Sequence, residues 1–434
     1  MSSMAAPPVA PGLPWQAGLA YGLLGLPVAF AALPLYVVLP HHYASGLGLP
    51  LATVGTLLML VRLIDAGAEP LIGRWSDRLY RRRLPEVMAV LAVAAALLGL
   101  GMAGLFFPAV ATPAALAAWM VAGLLLTCLA HSLLVIAHQA WGVRLGGDGV
   151  QRSRIVAWRE GAGLAGVVAA SAASLAWGAA AMLGLLAPAL LLGWLALWRA
   201  PQPPRQAPAA AGSGQAWMWE PLAQPAFRRL LAVFLCNGTA SAIPAALMLF
   251  FADDRLGATQ AQIALFLVVY FVSGALSLPL WVRAVGRAGL ERAWLAGMLL
   301  AVVCFGWAAA LGSGQVLAFG LVCLLTGVAL GADLAVPGAL LALLIERQGA
   351  QGVRDGAYLG WWNLASKLNL ALAAGAALPL LQWLGYTPGS QDGAALHRLA
   401  WIYALLPCAL KLVAAAALHR LLIKPSSTRQ RGLP

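Results

Sequence analysis

The chain has 434 residues, 62% hydrophobic and only 9% charged, with a mean hydropathy of +0.85, which leaves too little polar surface to cover a water-soluble domain of this length. It reads as an integral membrane protein: twelve spans of roughly 20 residues would occupy about 250 positions, leaving loops, tails and one linker but no soluble catalytic domain. The formal charge of +13, from 27 Lys+Arg against 14 Asp+Glu, falls between the apolar runs, so topology accounts for it and no nucleic-acid partner is expected.

The first thirteen residues, MSSMAAPPVAPGL, lack a basic n-region, and the run that follows at 14–39 is long enough to span, which predicts an uncleaved first helix rather than a secretion signal. Further spans are predicted at 50–71, 86–108, 114–141, 156–176 and 178–198. The Pro/Ala/Gly-rich stretch from Ala200 to Pro225 cannot continue a helix and reads as a cytoplasmic linker. Spans resume at 229–252, 260–282, 291–311, 316–344, 356–382 and 397–421. The expected fold is all-α, with twelve transmembrane helices in two six-helix bundles: residues 1–199, a linker at 200–226, and 227–434 with a short cytoplasmic tail.

Alternate loops carry the arginines: Arg74, Arg78, Arg81, Arg82 and Arg83, then Arg144, Arg152 and Arg154, then Arg199, Arg205, Arg228 and Arg229, then Arg283, Arg287 and Arg292, then Arg347 and Arg354. The other loops hold Arg255 and Arg398. The positive-inside rule therefore puts both termini in the cytoplasm, and a bacterial inner membrane is the expected location. The five cysteines lie in apolar runs with no C-x-x-C pair, so neither a disulfide framework nor a metal cluster is expected.

Asp65, Glu69 and Asp333 are the acids inside apolar runs, and Arg62 and Lys367 are embedded bases, with Lys411 in the last span. A charge at bilayer depth costs about 2.5–3.5 kcal/mol even on lenient insertion scales, so it persists when paired, hydrated or useful. Arg62, Asp65 and Glu69 share one helical face at i, i+3 and i+7. Two carboxylates one turn apart offer oxygen ligands to a small hard cation such as Na+, or can carry a proton, with Arg62 orienting one of them. The bland alternative is a salt-bridged trio that joins helices, and coupling is the preferred reading. Lys367 lies too deep to snorkel and needs a carboxylate or a polar cavity. Asp333 fits a gating or substrate role as well as an interhelical hydrogen bond. His131 and His138, with Ser132 and Gln139 beside them, form a polar stripe in the fourth run, although either histidine alone more often packs. Trp361 and Trp362 can stack on a sugar ring or simply pack.

The segment RLIDAGAEPLIGRWSDRLYRRR, residues 62–83, resembles the second helix and following loop of the major facilitator superfamily, and Gly73, Asp77, Arg78, Arg81 and Arg82 match its G-x-x-x-D-R-x-x-R-R loop signature. That resemblance implies a charge relay latching the two halves on the cytoplasmic side. More narrowly, R-x-x-D-A-x-x-E-P-x-x-G, together with Ile136–Gly161, QPAFRRLL and Gly352–Gly389, is similar to the glycoside–pentoside–hexuronide:cation symporters, of which the melibiose carrier is the best known. By this resemblance Asp65 and Glu69, with Ser132, are the cation-coupling residues, the second acid departing from the more usual aspartate. Arg159 and Lys367 match basic residues near the sugar and cation sites. The sugar-binding acids of melibiose carriers have no counterpart, since neither the first run from Pro14 to Val38 nor Ala114–Val143 carries a charge.

The expectation is a secondary active transporter working by alternating access, a cation-coupled (Na+ or H+) symporter of a sugar- or glycoside-like small molecule. Arg62, Arg159, Lys367, Asp333, His138, Gln139 and Trp362 are the candidate substrate and coupling residues. A lysolipid or other amphiphile carrier of the same fold is the alternative, and a transport-inactive receptor or scaffold a further one. No H-E-x-x-H, G-x-S-x-G or phosphate-cradling loop is present, so no enzyme is expected. No cofactor is expected beyond the coupling ion, the bilayer and a small molecule are the expected partners, and the chain is expected to be a monomer.

Overall fold

The computed structural model describes residues 13–204, 218–386 and 392–424. The expected cytoplasmic tail, most of the linker with Arg205, and Pro388 and Gly389 of the closing loop lie outside these residues. Regular structure is helical. The first span is α1, Trp15–Gly22, and α2, Gly25–Leu33, continued by π-helical turns at Pro34–Val38 and His42–Gly46. There follow α3, Leu51–Leu79, α4, Leu84–Phe106, α5, Pro113–Arg144, and α6, Gly149–Arg199. After the linker come α7, Pro225–Phe250, α8, Gln260–Ala288, α9, Leu290–Phe305, α10, Val316–Arg347, α11, Asp355–Trp383, and α12, Gly393–Leu418.

Among the described residues, ten helical segments are long and apolar enough to cross a bilayer. The two further spans are α3 and the first arm of α6. They dilute their apolar runs with Arg62, Asp65, Glu69, Arg74, Asp77 and Arg78 in one, and Arg152, Arg154, Arg159 and Glu160 in the other. A straight helix of 51 residues would measure about 77 Å, more than twice a hydrocarbon core of about 30 Å. Gly178, with φ 73° and ψ −175°, breaks it into two arms, a conformation that glycine adopts at little cost.

The two halves meet along α3 and α11. A Cβ added to Gly73 would fall 2.0 Å from the Gly356 carbonyl oxygen, and one added to Gly356 would fall 2.0 Å from that of Gly73. Gly360 is likewise closed in, 2.6 Å from the Glu69 carbonyl. Small residues on both helices thus bring backbone against backbone, which in a membrane is a principal source of helix association. The apolar cores repeat this asymmetry. One cluster combines α5 and α6 residues such as Ile136, Ala140, Val143 and Val156 with Phe227, Trp294, Ala339 and Tyr358 of the second half. The other two clusters each belong to one half. The halves are therefore packed together at the face that carries the arginine-rich loops, here termed the basic face.

Candidate coupling cluster and basic-face gate

Helical spacing sets the first site. Asp65 and Glu69, one turn apart on α3, both turn inward and are 4% and 1% exposed. Ser132 of α5 presents its hydroxyl between them, 3.0 Å from Asp65 Oδ1 and 2.8 Å from Glu69 Oε1. Lys367, reaching from α11 in the other half, forms ion pairs with both carboxylates and donates to Ser132 Oγ at 3.0 Å. The hydroxyl has one proton to give and two carboxylates to serve. Glu69 Oε2 is buried with no hydrogen-bond partner. An orphaned carboxylate oxygen at bilayer depth is costly. Among the described residues no group of three or more His, Cys, Asp and Glu could hold a metal ion, so a cation here would have two carboxylates and a hydroxyl as its side-chain ligands.

The cation seated on both acids is Lys367, supplied by the opposite half; Arg62, on the same helix, is an exposed residue. Asp333, the candidate second-half acid, forms a separate cluster. Lys411 Nζ of α12 lies 2.7 Å from its Oδ2, while Asn237 of α7 and Trp294 of α9 each donate to Oδ1 at 2.9 Å. Lys411 also donates to Asn237 Oδ1 at 2.8 Å. Four helices of the second half are thus tied through one carboxylate.

Between the halves lies a cavity of about 30 Å³, lined among others by Tyr21, Gln139, Arg152, Arg159 and Trp362. At that size it holds a water or two and no sugar. Gln139 exchanges side-chain hydrogen bonds with Asn363 of α11, the shorter at 2.7 Å. Trp362 stacks on Phe234 with ring centroids 3.7 Å apart. Arg159 is held by its neighbour Glu160 at 2.6 Å. His138 sits in the packing between α1 and α5, donating to the Tyr21 carbonyl at 2.8 Å with its ring against that tyrosine, and His131 bonds the Val28 carbonyl at 3.1 Å. Trp361 is not beside Trp362 in function: its indole donates to the Met218 carbonyl at 2.7 Å and its ring meets Trp219, anchoring the end of the linker.

At the basic face, Asp77 accepts from the backbone N–H groups of Gly356 and Ala357 at 2.7 and 3.0 Å. It caps α11 from the other half, where four N–H groups would otherwise lack partners. Arg144, at the end of α5, stands 3.7 Å from Asp77 and 2.8 Å from Asp355, and its guanidinium lies 4.2 Å from the Tyr80 ring centroid. The relay expected of Asp77 with Arg78, Arg81 and Arg82 is corrected on this point. Those three arginines are exposed, Arg82 pairing at 3.8 Å with Glu86, and the cation beside Asp77 and Asp355 is Arg144. Arg152 adds a second tie, 2.7 Å from Glu346 of α10. Arg144, Asp355 and the Arg152–Glu346 pair had no place among the expected site residues; the one available signal, Asp355 just before Gly356 at a helix start, acquires meaning only when α3 is beside it.

The family model for MFS/sugar transport proteins matches residues 20–424. The chain belongs to that family of major facilitator superfamily transporters. Solved structures agree on the fold of this transporter. A bacterial homologue of the iron transporter ferroportin, in an outward-facing state, superposes with a TM-score of 0.69 at 16% identity, covering 96% of this chain and 100% of that one. The E. coli fucose:proton symporter FucP (N162A) gives 0.65 at 16% identity over 93% and 98%. The proton:xylose symporter XylE, bound to 6-bromo-6-deoxy-D-glucose, gives 0.63 at 14% over 94% of each. No curated protein sequence matches the chain.

Proposed function

We propose that this transporter couples a monovalent cation, Na+ or H+, to symport of a sugar- or glycoside-like molecule across a bacterial inner membrane, with both termini and the basic face in the cytoplasm. The observation that carries the reading is the buried α3 acid pair: two carboxylates one turn apart share the Ser132 hydroxyl and the Lys367 ammonium, and Glu69 Oε2 is buried with no hydrogen-bond partner. Two carboxylates with a hydroxyl are oxygen ligands suited to a small hard ion.

Lys367 gives that ion a mechanical consequence. Its ammonium holds an α3 acid pair from the other half, so a cation arriving at Asp65 and Glu69 competes with a tie between the bundles. Substrate and cation are coupled if each binds better when the other is present. The ties across the basic face and the cavity too small for a sugar fit a state of the alternating-access cycle that is shut on that face. Sugar-like cargo is inferred from the family and from Gln139, Arg159, Asn363 and Trp362, which combine hydrogen-bonding groups with an aromatic face.

The test is thermal unfolding of the purified transporter against Na+, K+ and pH for wild type, Asp65→Asn and Glu69→Gln, followed by uptake into proteoliposomes. A ligand at about 100 times its Kd stabilises the folded state by about 2.7 kcal/mol. A Na+ shift absent with K+ and removed by either substitution supports Na+ symport. A pH response lost in the same variants supports proton coupling. An unfolding curve indifferent to both ions and both substitutions overturns the reading.

A further inference from the structure

A groove of about 550 Å³ opens at the basic face between the start of α9 and the end of α12, lined by Arg292, Leu295, His419, Arg420, Ile423 and Lys424. None of the six is acidic, and Arg292 and Arg420 alone bring a formal charge of +2 to the lining. It lies outside the seam between the halves and takes no part in the gate or the α3 cluster. We infer that this groove binds the headgroup of an anionic phospholipid bearing two phosphates.

Charge and position together select that occupant. Guanidinium groups match phosphate oxygens in paired hydrogen bonds, and two arginines exceed what one phosphodiester would balance. The groove sits where a headgroup would lie, at the level where α9 begins and α12 ends, and α9 and α12 pack against each other below it. From there toward the bilayer centre both helices present apolar side chains outward: Leu299 and Val303 on α9 are 43% and 67% exposed, and Leu412 and Val413 on α12 are 47% and 59% exposed. Acyl chains anchored by a headgroup at Arg292 and Arg420 would lie along that surface. A free phosphate would gain the charges and leave the apolar surface unused. Basic pockets between helices are a recognised physical solution for anionic lipid recognition.

The experiment uses full-length transporter stripped of lipid in neutral detergent, with unfolding temperature and native mass spectrometry read against four probes: cardiolipin, phosphatidylglycerol, phosphatidylcholine and inorganic phosphate. Cardiolipin is expected to raise the unfolding temperature and to survive as a one-to-one adduct, phosphatidylglycerol to do so more weakly, and the other two not at all. In Arg292→Gln/Arg420→Gln the cardiolipin affinity should fall roughly thirtyfold, while Arg287→Gln, which removes an exposed charge nearby, should keep it. Matching unfolding temperatures of the three proteins without lipid exclude a folding defect. Equal stabilisation by phosphatidylcholine, an equal effect of inorganic phosphate, or a loss shared by Arg287→Gln would each overturn the proposal.

Discussion

Lys367 and Lys411 are both ammonium groups held in helices at bilayer depth, yet their surroundings differ in net charge. Lys411 faces one acid and an amide, and Asp333 in return receives bonds from Asn237 and Trp294 as well. Asp333→Asn would leave that buried ammonium without its counter-charge, a loss of about 3–5 kcal/mol, and chemical denaturation should register it while the response to Na+ or pH persists. Lys367 faces two acids. Lys367→Met should abolish uptake and enlarge the stabilisation by the coupling cation, because the resident positive charge no longer competes; thermal unfolding against cation concentration checks this, and an unchanged shift would mean that the ammonium and the ion do not share a site. Spacing along α3 made Asp65 and Glu69 legible as a pair. The pairing of Lys367 with both was not legible from spacing, because it joins positions 302 residues apart; the family resemblance alone placed that lysine near the cation site.

At the scale of elements, the α3–α11 seam is where a single methyl group matters. Gly356→Ala would put its Cβ 2.0 Å from a carbonyl oxygen that belongs to another helix backbone, so the helices must separate. Overpacking of this kind costs about 1–3 kcal/mol, and the cost falls on the closed-gate state alone. Expected is a higher rate of thiol modification of a Ser76→Cys reporter from the basic face, since Ser76 is fully buried beside Asp77 in the closed state. Most helices were readable from apolar runs. α3 and the first arm of α6 were readable despite their charges, since the expected span at 50–71 covers α3 from its N-cap Pro50 and that at 156–176 falls within α6, whereas hydropathy alone passes over both. Their ends were less so: α3 and α5 continue past the predicted spans to Leu79 and Arg144, since helix outside the hydrocarbon layer needs no apolar signal. Those overhanging turns carry the gate.

For the whole molecule, charges tie the two halves at the Lys367–Asp65/Glu69 cluster and again at the basic end. Arg152→Glu and Glu346→Arg should each weaken closure, and the double exchange should restore part of it, with a coupling of about 0.5–3 kcal/mol in a thermodynamic cycle, toward the lower end because Glu346 is half-exposed. Uptake should follow the same order. Composition and the arginine-rich loops told which kind of molecule this is, and the motif at residues 62–83 marked the part of α3 that meets α11. What closes the gate was illegible because the partners are backbone N–H groups of Gly356 and Ala357, which every sequence possesses. The use of a backbone terminus has a kinetic side. Capping interactions are worth about 0.5–2 kcal/mol, and as the halves part both the Asp77 carboxylate and the freed N–H groups meet water, which offsets much of the loss. A latch of that strength changes the lifetime of the closed state by roughly two- to thirtyfold, so thermal motion can undo it many times over without the carrier ever becoming trapped.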